Sequence, residues 1–193
     1  MNLVIVDYKA GNVQSVLFAL ERLGIQATLS SDFETIKSAD KVIFPGVGEA
    51  SSAMAQLKSR NLDKLLPTLK QPFFGVCLGM QLLCEHSEEG DIDLLGIIPL
   101  KVKRFQTDLK VPHMGWNQLE NLNSPLFEGI KEQEYVYFVH SYYVPNSDCT
   151  IAQALYPEPF SAALQYKNFY AAQFHPEKSG PAGSLIIQNF LAL

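Results

Sequence analysis

The chain has 193 residues, 47% of them hydrophobic and 18% charged, which is the composition of a globular protein large enough to bury a core without staples. Its 15 basic and 20 acidic side chains leave a net charge of -5 and form no basic run, which argues against nucleic acid as a partner. Three cysteines, an odd number in a chain this long, speak against a disulfide framework and for a reducing, cytoplasmic compartment. The N-terminus lacks the basic start of a signal peptide, and no apolar run approaches the roughly 20 residues of a membrane span.

Asn2 to Val6 is a short apolar run that reads as a strand buried on both faces. Asn12 to Leu23 follows with Val13, Val16, Leu17, Leu20 and Leu23 at helical spacing, and Gly24 is placed to cap it. Ile25 to Leu29 and Lys41 to Phe44 read as the next strands, the second stopped by Pro45-Gly46-Val47-Gly48. Helical patterns cover Glu49 to Lys58 and Leu62 to Leu69. Phe73 to Val76 is another buried strand, and Gly79 to His86 a helix. Further on, Gly96 to Phe105, Tyr135 to Tyr143, Ile151 to Leu155, Ser161 to Tyr166 and Phe169 to Phe174 read as strands, and Pro181 to Leu193 as a closing helix. Strands alternating with helices predict a parallel sheet covered on both sides, and the strand-rich second half an antiparallel extension. No repeat or linker divides the chain, so residues 1–193 are expected to form one domain.

The chemistry concentrates in two short segments. Gly75-Val76-Cys77-Leu78-Gly79 puts a thiol between two small residues where a strand gives way to a helix, the thiol version of a nucleophile elbow. The helix N-terminus would favour thiolate, and the Leu78 N–H would point toward an oxyanion at the sulfur's target. His175-Pro176-Glu177 ends a strand and offers an imidazole with a carboxylate two residues on, close enough to orient it. An ordinary tight turn is the competing reading of either segment alone. Cys84, with no glycine beside it, reads as a core or semi-exposed helix residue, and Cys149 as a loop or strand-start residue without a role. The histidines His86, His113, His140 and His175 lack metal-ligand spacing, so no metal and no other cofactor is expected.

Gly75-Val76-Cys77-Leu78-Gly79-Met80-Gln81 together with His175-Pro176-Glu177 resembles the class I glutamine amidotransferases. More narrowly, the chain is similar to the glutaminase subunits of bacterial imidazole glycerol phosphate synthases. That match rests on Asp7-Tyr8-Lys9-Ala10-Gly11-Asn12, Pro45-Gly46-Val47-Gly48, Pro112-His113-Met114-Gly115-Trp116-Asn117, Tyr137-Phe138-Val139-His140-Ser141-Tyr142 and Phe174-His175-Pro176-Glu177-Lys178-Ser179. Lys9 departs from the pattern, since many relatives have glycine after the Asp-Tyr pair.

The resemblance implies an α/β three-layer sandwich with a central mixed, mostly parallel sheet. It implies a Cys77-His175-Glu177 triad that hydrolyses glutamine through a thioester, with Val47 and Leu78 N–H groups as the oxyanion hole. It places Gly48, Gln81, Glu89, Ser141 and Tyr142 around the substrate. On spacing, Gln81 stands one helical turn past Cys77 and can face the same cleft, while Glu89 reads equally well as a solvated residue. The implied partner is a (β/α)8-barrel cyclase subunit in a heterodimer, which receives ammonia for histidine biosynthesis. Asn12, Trp116, Tyr137 and Lys178 are the candidate docking residues, Trp116 being either a core aromatic or an interface anchor. The glycines around Val47 leave its peptide free to flip, so the hole is either switched by the partner's ligand or a plain turn.

Three other readings compete. An amidotransferase serving anthranilate, aminodeoxychorismate or pyridoxal phosphate synthesis would keep the fold and change the acceptor. A non-enzymatic module would be marked by loss of the triad, and a free-standing γ-glutamyl hydrolase would need no partner.

Overall fold

Leu3–Val6 (β1) has no polar face because both its faces are covered. Val4 and Val6 enter one core and Leu3 and Ile5 another. The computed structural model describes residues 1–9 and 12–193, so Ala10 and Gly11 of the Asp7–Asn12 segment lie outside the described residues. The chain continues through α1 (Val13–Arg22), β2 (Thr28–Ser30), α2 (Phe33–Lys37), β3 (Lys41–Gly46), α3 (Ala50–Ser59), α4 (Leu62–Leu65), β4 (Phe73–Cys77) and α5 (Leu78–Leu82). Then come β5 (His86–Ser87), β6 (Ile92–Asp93), β7 (Lys101–Arg104), β8 (His113–Gln118), β9 (Tyr135–His140) and β10 (Tyr142–Tyr143). The last elements are β11 (Thr150–Leu155), β12 (Pro159–Tyr166), β13 (Phe169–Ala172) and α6 (Gly180–Ala192).

Seven strands form the main sheet in the order β11-β12-β13-β4-β3-β1-β2. The run from β13 to β2 is parallel, and β11 and β12 add an antiparallel edge. Helices α2, α3 and α4 bury their apolar stripes on one face, and α1 and α6 on the other. This is the expected three-layer, mixed and mostly parallel architecture. Because β1, β3, β4 and β13 are parallel, the connections that follow them emerge along one sheet edge. Asn12, Val47, Cys77 and His175 all lie in or beside those connections, where ligands bind in open α/β sheets.

Several boundaries differ from the periodicity reading, each for a tertiary reason. Strand two begins at Thr28 rather than Ile25 because Ile25 belongs to the end of α1. Its N–H donates to the Leu20 carbonyl, and the N–H of Gly24, at φ +70°, donates to that of Glu21, a Schellman cap. Strand three runs on through Pro45 and Gly46, paired with Val76 and Cys77. Pro45 has no N–H, and its carbonyl accepts from the buried Tyr8 hydroxyl at 2.9 Å. The helix expected to reach Lys58 from Glu49 starts at Ala50, with the Glu49 carboxylate accepting from the Ser51 and Ser52 N–H groups. The one expected over Leu62 to Leu69 tightens to a 3-10 turn at Leu66–Thr68, where Pro67 interrupts the α pattern.

The helix expected over Gly79 to His86 stops at Leu82. The Leu82, Leu83 and Cys84 carbonyls accept N–H groups from Leu95, Gly96, Ile97 and Ile98, and this also removes residues 96–98 from the strand expected there. Tyr135 to Tyr143 is not one strand. It breaks at Ser141, whose carbonyl accepts the Phe105 N–H, and β9 pairs with β8 while β10 pairs with β7.

Candidate active site

Cys77 closes β4 with φ +54° and ψ -111°, a strained conformation for an L-residue with a side chain. The glycines around it serve close approach. A Cβ on Gly79 would strike the Phe44 carbonyl, one on Gly46 would meet the Gly79 nitrogen at 2.6 Å, and one on Gly75 the Gly79 carbonyl oxygen at 2.9 Å. Helix α5 therefore starts pressed onto β3 and β4, which turns the cysteine outward into a cleft.

That cleft is about 310 Å³ and is lined by Cys77, His175, Val47, Gly48, Leu78 and Gln81, with Glu89, Ser141 and Tyr142 across it. The triad candidates and every substrate-pocket candidate therefore share one concavity. Gly48 has φ +104°, a region that favours glycine although the space beyond its Cα is open. Helix α5 has five residues, so the positive end it offers the sulfur is a single turn of N–H groups.

His175 Nδ1 lies 2.8 Å from Glu177 Oε1, and each side chain is 2% exposed. The turn that holds them is locked from both sides. The His175 N–H donates to the Tyr137 carbonyl at 2.9 Å, Ser179 Oγ donates to the His175 carbonyl at 2.6 Å, and the Tyr137 N–H donates to Ser179 Oγ at 2.9 Å. Gly183 lets α6 press against the Pro176 carbonyl behind the turn. Glu177 fixes the proton on Nδ1 and leaves Nε2, buried without a protein partner, as the ring's reactive nitrogen. Burial depresses the imidazole pKa. The adjacent Cys77 sulfur and the Glu177 carboxylate outweigh it and raise the pKa to about 9. The arrangement favours an imidazolium beside the Cys77 sulfur. Cys77 Sγ sits 3.8 Å from the Val139 carbonyl and 3.8 Å from Gln173 Nε2.

Gln81 is buried and spends both amide hydrogens on the protein, donating to the Tyr142 carbonyl and to Gln173 Oε1, each at 2.9 Å. Its Oε1 remains for a ligand. Glu89 is half-buried, not solvated. Its Oε2 accepts the Ala50 N–H at 2.9 Å, and burial raises its pKa despite that bond. Four residues at the cleft escaped the sequence reading: Gln173, Val139 through its carbonyl, His140 and Pro112. Gln173 did leave a signal as a lone amide in Ala171-Ala172-Gln173-Phe174, a run otherwise apolar. Cys84 is fully buried just beyond α5, with its thiol pKa pushed up by desolvation, and has no access to the cleft.

The docking candidates divide. Trp116 is 55% exposed, which rules out the core reading, and it meets Tyr137 edge-on at 6.0 Å. Lys178 Nζ lies 5.9 Å from the centre of the Tyr137 ring, so these three form one patch with Tyr137 half-buried between two exposed side chains. Asn12 sits before α1, with Nδ2 2.5 Å from Ser15 Oγ, and no hydrogen bond joins it to that patch among the described residues.

The family model for glutamine amidotransferase class-I matches residues 4–193. The chain is a class-I glutamine amidotransferase. The amidotransferase is 57% identical to the imidazole glycerol phosphate synthase subunit HisH of Bacteroides thetaiotaomicron, over all of both chains. It is 48% identical to the subunit of the same name from Vibrio cholerae, over 100% of this chain and 98% of that one. A solved structure of a glutamine amidotransferase superposes with a TM-score of 0.77 at 20% identity, covering 98% of this chain and 97% of that one, a likeness of fold. Among the described residues of the amidotransferase, no helix is long and apolar enough to cross a membrane.

Proposed function

We propose that this chain, as one glutaminase domain over residues 1–193, is the glutaminase subunit of an imidazole glycerol phosphate synthase. It acts in the cytoplasm on glutamine and passes ammonia to a (β/α)8-barrel cyclase subunit in a heterodimer. The observation that carries the reading is a His175 ring oriented by Glu177 through Nδ1, with Nε2 free in the cleft that holds Cys77.

The Cys77 thiolate attacks the side-chain amide carbon of glutamine. The carbonyl π electrons move to oxygen, where the Leu78 and Val47 N–H groups stabilise the charge. The tetrahedral intermediate collapses with loss of the C–N bond, and His175 Nε2–H protonates the leaving nitrogen to give ammonia and a thioester. Neutral His175 then deprotonates a water that attacks the thioester. Glutamate leaves and the thiolate–imidazolium pair is restored. Glu89 is placed for the substrate ammonium, and Ser141 and Tyr142 for its carboxylate. Trp116, Tyr137 and Lys178 form the face offered to the cyclase, with Asn12 on the same sheet edge.

Free ammonia is mostly protonated near neutral pH, so a second site must receive it directly. Glutamate release would be measured for the protein alone, with the cyclase, and with cyclase plus its nucleotide ligand, using Cys77→Ala as the blank. Strong turnover in the full mixture and little without a partner is expected. High turnover alone would instead indicate a free-standing glutaminase.

A further inference from the structure

Two buried histidines outside the triad form a directional chain into the glutamine cleft. His140 Nδ1 lies 2.8 Å from the Tyr142 carbonyl, which can only accept, so Nδ1 carries the proton and Nε2 the lone pair. His113 Nδ1, 3.0 Å from that lone pair, must then donate. This leaves His113 Nε2 as an acceptor facing Asn117 Nδ2 at 3.4 Å. The Tyr142 carbonyl is the same one that accepts Gln81 Nε2, and Gln81 leads through Gln173 to the Cys77 sulfur. Both rings are held neutral, with pKa values lowered by burial to about 4 for His113 and about 3 for His140.

The other end of the chain lies on β8. That strand alternates, with Met114 and Trp116 58% and 55% exposed on one face and His113 and Asn117 on the other. Phe138 and Tyr156 stack on the His113 ring and leave it little freedom to rotate.

We infer that His113 and His140 are positioning residues for glutamine, holding the Tyr142 carbonyl and through it the Gln81 carboxamide in the geometry that receives the substrate. Neither ring touches the reacting atoms. Each fixes the donor–acceptor sense of the next group, so a break anywhere lets Gln81 re-pair and changes what the cleft offers. The inference rests on the glutaminase reading.

The test is steady-state glutamine hydrolysis with the cyclase and its ligand, corrected for the folded fraction by titration of the reactive thiol. His113→Leu removes the donor to His140, and His113→Asn keeps a donor at the Nδ1 position. His140→Asn keeps the donor to Tyr142 but loses the acceptor for His113. The expected result is a KM for glutamine raised about fivefold in His113→Leu with kcat within about twofold, and most of that rise recovered in His113→Asn. His140→Asn should fall between them. An unchanged KM in His113→Leu, or equal KM values for the leucine and asparagine variants, overturns the inference. Should His113→Leu yield no titratable thiol, a KM for His140→Asn equal to wild type overturns it. Wild-type turnover that needs Cys77 is the separate test of the glutaminase reading.

Discussion

Glu177 Oε1 stands 2.8 Å from His175 Nδ1 in a setting where both side chains are 2% exposed, so one carboxylate determines the tautomer of the ring beside Cys77. Replacing Glu177 by Gln keeps the shape and removes the charge. The amide can turn its NH2 toward Nδ1 and so favour the tautomer with its proton on Nε2, the wrong one for taking a proton there. A loss in kcat of about 100-fold or more is expected with a near-native melting temperature, measured by glutamate release with the cyclase present.

The same pair predicts an alkaline limit. With a His175 pKa of about 9, the imidazolium needed to protonate ammonia is lost as the pH rises through that value. A kcat/KM profile should fall above about pH 9, and a limb near the ordinary histidine value of 6.5 would contradict the assignment. The raised pKa also stabilises the fold. That contribution is complete below pH 6.5 and disappears as the pH rises through about 9.

His113 and His140 act in the opposite sense. Their pKa values are depressed below 6.5, so their contribution is present above that pH and is lost as the pH falls toward about 4 and about 3. The unfolded chain binds protons there that the folded one refuses. Chemical denaturation at about pH 7 and about pH 5 should show a loss of about 2 kcal/mol from each ring, about 4 kcal/mol from the two together.

Cys77 reaches the cleft through a strained backbone. At φ +54° and ψ -111°, glycine fits and alanine does not. Both Cys77→Ala and Cys77→Gly should be inactive. The glycine variant should be the more stable of the two by about 1 to 2 kcal/mol, read from denaturant midpoints.

Lys9 makes a smaller prediction of the same kind. It sits at φ +63°, with Nζ 3.7 Å from Asp7 Oδ2, its own side chain exposed and that of Asp7 half-buried. Lys9→Gly relieves the left-handed strain and gives up a surface ion pair of little worth. Stability should rise by up to about 1 kcal/mol in the same denaturation assay.

The legible parts of this protein were those written in contiguous residues. Val4, Val42 and Phe73 signalled buried strands because both sheet faces are covered, and Gly75-Val76-Cys77-Leu78-Gly79 and His175-Pro176-Glu177 carried their chemistry in order. Helix ends read poorly where a distant segment supplied the cap, as at Leu82, where the backbone of residues 95–98 takes the carbonyls. Trp116 could not be sorted between core and surface from its neighbours, because exposure depends on which face of β8 packs inward.

By itself, then, the sequence determined the alternation of strands and helices and singled out a candidate nucleophile, a candidate base and its candidate orienting carboxylate. These depend on local periodicity and on spacings of a few residues. The tertiary structure alone decided that Cys77 and His175 open into one cleft, that Gln173 lies 3.8 Å from the sulfur, and that His113 and His140 meet at 3.0 Å. Those pairs are 98, 96 and 27 positions apart, a separation over which neither propensity nor periodicity carries information. Strand pairing in the central sheet brings the first two together, and the β8–β9 pairing of His113 with His140 the third.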